Sequence, residues 1–214
     1  MNLANLRKDY GKGVLSENSL EQDPIKLFAT WFQDAVNAGE EEPNIMTFAT
    51  ISTKGFPSAR IVLLKDFDER GFVFYTNYMS RKGNHIKNNP NAALVFFWPK
   101  LERQVRIEGM VEKVSKKESD EYFATRPRQS QISAAVSEQS STIPDRNYLE
   151  MLAQLCEKKY EGKEIPKPEN WGGYRVLPLR IEFWQGRENR LHDRFKFCVD
   201  KEKKSGWKIK RLAP

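Results

Sequence analysis

Arg60-Ile-Val-Leu-Leu-Lys65, followed closely by Phe72-Val-Phe-Tyr-Thr76 and Ser80-Arg-Lys82, is the stretch on which both the fold and the chemistry turn. Ile61, Val62, Leu63 and Leu64 read as the apolar middle of a buried strand with a fixed cation at each end. Strand alternation places Arg60, Val62 and Leu64 on one face and Ile61, Leu63 and Lys65 on the other. The two cations therefore address different places, as suits two different anions. The next strand passes through Tyr75 and Thr76 into Asn77-Tyr-Met-Ser80, where a helix begins. Ser80 is a favourable N-cap, and the first N–H groups of that helix stand beside Arg81 and Lys82, which in physical terms is a phosphate-binding corner. An ordinary capped helix with solvated charges uses the same residues.

The rest of the chain supplies strands around this stretch. Residues 46–53 and 56–65 form a hairpin about Lys54-Gly55. Residues 92–98 are a buried strand, and 101–114 a long one with Val105, Ile107, Gly109 and Val111 on one face and Gln104, Arg106 and Glu108 on the other. Trp171-Gly-Gly-Tyr174 reads as a tight turn into a strand over 175–185, whose first half Pro178 confines to a sheet edge. Residues 190–199 form another strand, with Arg190, His192 and Arg194 in register on one face and Leu191, Phe195 and Phe197 on the other. Three basic groups in a row repel one another unless an anion or an electron-rich ring lies across them, so this face is a candidate site. Asp193 faces the apolar side, where it needs a partner or a rim. With residues 207–212 the count is about eight strands in hairpin-like succession. No Gly-x-Gly-x-x-Gly follows a strand, which disfavours a dinucleotide-binding sheet. A closed or split antiparallel barrel with peripheral helices manages the strand edges best, giving a mainly β, α+β fold in one domain over 1–214.

Helices fall between the strands. Asp23 caps one that opens with Pro24, carries Leu27, Phe28, Trp31, Phe32 and Ala35 on one stripe, and closes at Gly39. Ser115-Lys-Lys-Glu118 has the form of a capping box, and its helix runs to about residue 125 before Pro127 ends it. Tyr122 and Arg126 are four apart, so a phenol and a guanidinium can converge on one point, with Ser130 just beyond. A surface Tyr–Arg pair packing its own stem fits the same spacing. Ser137-Glu-Gln-Ser-Ser-Thr142 is a polar loop. The helix after Pro144-Asp145 places Leu149, Leu152, Leu155, Cys156 and Tyr160 at core spacing. Residues up to about 22 are polar and read as a mobile arm until something docks on them.

A chain of 214 residues with 39% hydrophobic residues can bury one sizeable core. Its net charge of +7 comes from largely interspersed residues. There is no basic stripe with aromatic platforms, so nucleic-acid binding is disfavoured and attraction of small phosphorylated ligands explains the excess equally well. Two cysteines, Cys156 and Cys198, read as buried thiols in a reducing, cytoplasmic setting. Two histidines without a Cys-x-x-Cys make a metal site improbable. The longest apolar run, residues 92–98, is too short to span a bilayer.

Taken in order, the motifs resemble the pyridoxamine 5'-phosphate oxidase family over nearly the whole chain, from Arg7-Lys-Asp-Tyr10 to Arg211-Leu-Ala-Pro214. Besides the opening stretch, the resemblance is carried by Leu101-Glu-Arg-Gln-Val105, Arg126-Pro-Arg128 with Ser130-Gln131, Trp171-Gly-Gly173, Glu182-Phe-Trp-Gln-Gly186 and Arg190-Leu-His-Asp-Arg194. It implies an FMN-binding split β-barrel homodimer, with sites at the subunit interface and residues 171–214 completing active site and dimer. The implied reaction is oxidation of pyridoxamine 5'-phosphate and pyridoxine 5'-phosphate to pyridoxal 5'-phosphate. In it, hydride passes from C4' to flavin N5 and dioxygen is reduced to hydrogen peroxide. The FMN contacts it implies are Arg60, Ile61, Val62, Leu63, Leu64, Lys65, Tyr75, Thr76, Arg81, Lys82, Gln104, Gln139, Ser140, Trp184 and Arg194. Those implied for substrate are Lys65, Tyr122, Arg126, Ser130, Arg190, Leu191 and His192, with Arg7, Lys8, Asp9 and Tyr10 as a lid. Gln139, Ser140 and Trp184 rest on resemblance alone. Arg190 and His192 are the expected catalytic pair, orienting the pyridine opposite the flavin.

Overall fold

The computed structural model describes residue 3 and residues 9–214. Arg7 and Lys8 of the expected lid lie outside the described residues. In chain order the elements are α1 (Pro24–Asn37), β1 (Ile45–Ile51), β2 (Pro57–Leu63), β3 (Asp66–Asp68), β4 (Gly71–Asn77), α2 (Arg81–Asn88), β5 (Asn91–Trp98), β6 (Arg103–Lys113), α3 (Lys116–Thr125), α4 (Arg128–Val136), α5 (Arg146–Lys159), β7 (Trp171–Gln185), β8 (Asp193–Val199) and β9 (Trp207–Arg211). All strand pairs are antiparallel, in the order β2-β1-β5-β6-β7-β4-β3, with β8 and β9 branching from β7. This is the split antiparallel barrel with peripheral helices that the strand pattern favours.

The split lies in β7. One edge of β7 pairs with β6 along its length, while the other pairs with β4 over Trp171–Val176 and with β8 over Arg180–Gln185. Pro178 sits in the gap between the two partners, opposite a register shift at Glu108/Gly109. A residue without an N–H is tolerated there because no strand on that side asks for its hydrogen bond. β7 is therefore the most central strand rather than an edge, and Trp171 to Tyr174 already belong to it instead of forming a turn.

α1 is capped by Asp23, whose side chain accepts from the Ile25 N–H, and buries Leu27, Phe28, Trp31 and Ala35. Phe28 makes edge contacts with Phe67, Phe72 and Phe96 at 4.9–5.0 Å between ring centroids. Its truncation to Ala falls in the range of about 3–5 kcal/mol. A smaller cluster of Phe123, Ile132, Ile165 and Trp171 joins α3 and α4 to the end of β7.

Four expectations change. β2 is an edge strand, and Ile61 is 59% exposed rather than buried, because none of the described residues covers that side of the sheet. From Gly11 onward the N-terminal arm is packed: Leu15 and Leu20 enter the core, and Glu102 accepts from the Gly11 and Lys12 N–H groups. α5 buries none of its residues; Leu155 is exposed, and only Cys156 and Tyr160 of its expected stripe touch the smaller cluster. Both cysteines are free and half-buried. Among the described residues, no helix is long and apolar enough to cross a membrane.

Candidate active site

The Ser80 side chain caps α2 by accepting from the Gly83 N–H, as its position predicts. The cap directs Lys82 inward, where it is 8% exposed. Its ammonium donates to Thr76 Oγ1 at 2.9 Å, Gln139 Oε1 at 3.0 Å and Ser80 Oγ at 3.4 Å, all neutral acceptors. Burial, then the nearby Arg60 guanidinium, pushes the Lys82 pKa down to about 8. Arg60 is likewise lowered, by burial first and Arg81 second. Three cations thus crowd one corner, and among the described residues none of them has a carboxylate partner. Elsewhere the fold pairs its guanidinium groups: Arg103 with Asp34, Arg175 with Asp68 and Glu118, Arg194 with Glu182.

The loop after α4 folds back onto this corner. Gln139 Oε1 also accepts from Thr76 Oγ1 at 2.9 Å, and Ser140 Oγ accepts from the Arg81 N–H at 3.2 Å. Ser140 holds a left-handed backbone, φ 78°. These two residues have no periodic signature of their own and become visible only once the loop is folded.

A cleft of about 400 Å³ opens beside the corner. Its wall includes Ile61, Val62, Leu63, Lys65, Tyr75, Thr76, Lys82, Tyr122, Arg126, Gln139 and Trp171. Tyr75 and Tyr122 stack at 3.8 Å and 16°, and Trp171 extends the stack 5.5 Å from Tyr75. Arg126 lies over Trp171 with its guanidinium carbon 4.6 Å from the ring centroid. Its Nη1 is buried without a hydrogen-bond partner. Burial lowers the Arg126 pKa, with Tyr122 opposing, and burial raises that of Tyr122. Tyr122 and Arg126 do converge, although Arg126 is extended just past α3 instead of on it. Ser130 does not line the cleft; α4 presents Ser133 and Ala134 there. Pro127 proves to start this second helix as well as to end the first. Leu64 is buried in the core, and Arg60 and Arg81 flank the cleft without lining it.

The remaining candidates form a second constellation. Gln104, Trp184 and Arg194 are direct cross-strand neighbours on β6, β7 and β8, so they make one row. Arg194 donates Nε and Nη2 to Glu182 Oε1 at 3.0 and 2.9 Å. Tyr10, Trp184 and His192 pack ring against ring at 4.6–5.7 Å. His192 Nδ1 accepts from the Arg187 N–H at 3.1 Å. Burial, then Arg190 and Arg194, lowers the His192 pKa, which favours the neutral ring. The expected row of Arg190, His192 and Arg194 on one strand is not formed. β8 starts at Asp193, and Arg190 lies in a short 3-10 turn with a left-handed φ of 62°. Arg190 and Leu191 are exposed, as is Asp9. Asp193 is paired as its position requires, with Arg187 and Arg211 both at 2.9 Å.

Comparison with known proteins bears on both constellations. A family described as pyridoxamine 5'-phosphate oxidase matches residues 32–160, and a pyridoxine 5'-phosphate oxidase C-terminal dimerisation region matches 171–214. The pyridoxine/pyridoxamine 5'-phosphate oxidase of Trichormus variabilis is 55% identical, covering 99% of this chain and 98% of that one. The protein of the same name from Rubrobacter xylanophilus is 53% identical, over 99% and 96%. Among solved structures, PhzG from Burkholderia lata 383 in complex with tetrahydrophenazine-1-carboxylic acid superposes with a TM-score of 0.87 at 28% identity, covering 94% of this chain and 98% of that one. A pyridoxamine 5'-phosphate oxidase-related, FMN-binding protein from Nostoc punctiforme shares the fold at 14% identity and a TM-score of 0.71, over 91% and 100%. With both its barrel and its C-terminal strands accounted for, the chain belongs to the pyridoxamine 5'-phosphate oxidase family.

Proposed function

We propose that this protein oxidises pyridoxamine 5'-phosphate and pyridoxine 5'-phosphate to pyridoxal 5'-phosphate, using FMN and dioxygen, as a cytoplasmic homodimer. The observation that carries the reading is the buried Arg126 Nη1 without a partner, in a cleft whose cations have no carboxylates among the described residues. A buried guanidinium N–H left open costs the fold unless a ligand completes it. Family membership and the names of the full-length relatives support the activity.

The residues fit two phosphate-bearing ligands. Arg60, Arg81 and Lys82 at the start of α2 would hold the FMN phosphate, and Thr76, Gln139 and Ser140 would close over it. Lys65, Tyr122 and Arg126 would take the substrate phosphate. Each charge-assisted hydrogen bond contributes about 1.5–3 kcal/mol, so several are needed to hold a dianion against water. When bound, FMN would supply a two-electron acceptor for the C4' hydride and a route for the electrons to dioxygen.

The Gln104–Trp184–Arg194 row and the Tyr10–His192 group are absent from the cleft wall. In a homodimer these groups on a second copy complete the cleft, which the match to a dimerisation region and the exposed Ile61 on edge strand β2 both support. There Arg190 and His192 would orient the pyridine, and Arg194, held by Glu182, would place positive charge near the reduced cofactor.

The test is the visible absorption spectrum before and after anaerobic addition of pyridoxamine 5'-phosphate. The expected result is a flavin band that bleaches with substrate and returns with air. A flavin band unaffected by substrate overturns the oxidase reading and leaves a flavin-binding protein.

A further inference from the structure

His85 belongs to neither ligand set above, yet it stands directly behind one of them. It is on the inward face of α2 and 9% exposed, with Nδ1 3.0 Å from the hydroxyl of Thr50. Thr50 is on β1, 1% exposed, and its oxygen accepts from Arg60 Nη1 at 2.9 Å. Arg60 Nη1 also donates to the Phe48 carbonyl at 2.8 Å, and Nη2 to Ser58 Oγ at 2.7 Å. Three of its five N–H groups are thus spent on β1 and β2, which leaves two for an anion.

The direction of the hydrogen bonds in this chain follows from its end. Arg60 can only donate, so Thr50 Oγ1 must accept there. Among the described residues, the only other partner of that hydroxyl is His85 Nδ1. The arrangement that also satisfies the hydroxyl proton sends it to His85 Nδ1, with the ring protonated on Nε2. Its surroundings favour the neutral ring: burial, then Arg81 and Arg60, lowers the His85 pKa. An ordinary buried histidine packs and satisfies itself. This one sets the rotor of the hydroxyl that fixes a guanidinium already crowded by Arg81 and Lys82.

We propose that His85 is a positioning residue for phosphate recognition, acting through Thr50 to hold the Arg60 guanidinium in the orientation that leaves its two remaining N–H groups for the phosphate ester of the cofactor. Without the acceptor, the Thr50 proton has no buried partner and competes with Arg60 for space and for the Phe48 carbonyl. Arg60 then gains a second arrangement, and the anion must select the competent one. This rests on the reading that Arg60, Arg81 and Lys82 hold the FMN phosphate.

The test is the ratio of dissociation constants for riboflavin and FMN, measured by flavin fluorescence, because the two ligands differ only in the phosphate. His85→Leu and Thr50→Val should each lower the preference for FMN by roughly tenfold, the worth of one hydrogen bond to a charged network. His85→Asn, whose Oδ1 can replace Nδ1 as acceptor, should restore it to within about twofold. A general loosening of the fold weakens both flavins alike and leaves the ratio unmoved. If Arg60→Ala removes the preference while His85→Leu and Thr50→Val keep it, the positioning role is overturned. If Arg60→Ala keeps it too, the phosphate reading itself fails. Should His85→Leu not fold, an FMN preference kept in Thr50→Val still overturns the proposal, and His85→Gln, which keeps a polar group on α2, takes the place of the Leu variant.

Discussion

Arg126 spreads its guanidinium over Trp171 at 4.6 Å, yet its Nη1 remains buried with no hydrogen-bond partner. Stacking holds the group in place without using its N–H groups, so they stay directed at whatever enters the cleft. Arg126→Ala should therefore raise the KM for pyridoxamine 5'-phosphate about ten- to hundredfold, the loss of one or two charge-assisted hydrogen bonds. FMN retention should change far less. Steady-state kinetics beside flavin titration checks this, and the opposite pattern would assign Arg126 to the cofactor.

Lys82 gives the cleft a pH dependence of definite sign. With its pKa held at about 8, against 10.5 for an exposed lysine, the folded protein carries fewer protons than the unfolded chain between those values. The stability of the ligand-free protein accordingly rises with pH across that window. A phosphate dianion works the other way, since it favours the ammonium and raises its pKa. Binding above about pH 8 must then take up a proton, and FMN affinity should fall with pH by at most about tenfold per unit. Titration calorimetry in buffers of different ionisation enthalpy measures the uptake directly. Lys82→Arg should abolish both the uptake and the slope; a flat profile in the unmodified protein would show that Lys82 does not meet the phosphate.

What the sequence makes legible is what local chemistry decides. Asp23, Ser80 and Ser115 announce their helices because each cap is satisfied within three residues. The alternation of β6 announces its faces for the same reason. Pro178 misleads because its tolerance depends on two other strands, one ending and one beginning beside it. Ile61 misleads because burial at a sheet edge is decided by what lies beyond the chain's own sheet. Arg190 misleads because the left-handed φ values at Asn189 and Arg190 interrupt an alternation that otherwise reads cleanly. Gln139 and Ser140 carry no local pattern at all; their role comes from a contact with Thr76, Arg81 and Lys82 some sixty residues away in the chain.

Arg175 is the structural counterpart of the open cations. It is 2% exposed and bridges Asp68 at the end of β3, 2.5 Å away, to Glu118 in the first turn of α3, at 3.1 Å. Removing one partner of a buried ion pair costs about 3–5 kcal/mol when the remaining charge stays buried. Asp68 and Glu118 keep some access to solvent, so Arg175→Met should cost about 3 kcal/mol, the lower end of that range. Urea denaturation should show a lower midpoint with an unchanged slope. A midpoint within error of the parent would mean that the bridge contributes nothing net.

Arg190 allows function to be separated from stability at a single position. Its side chain is exposed and makes no core contact, but its backbone holds φ 62°, a conformation that costs a non-glycine residue about 1–2 kcal/mol. Glycine adopts it freely, at the expense of about 0.5–1 kcal/mol of extra freedom in the unfolded chain. Arg190→Gly should thus leave the protein as stable as before or slightly more so, and still yellow with FMN. If Arg190 orients the pyridine from a second copy, kcat/KM for pyridoxamine 5'-phosphate should fall at least about tenfold in the same variant. Backbone strain kept at an exposed position is consistent with a positioning role for substrate. Unchanged kinetics in a protein of unchanged or raised melting temperature would remove Arg190 from the site and leave the strained turn without a function.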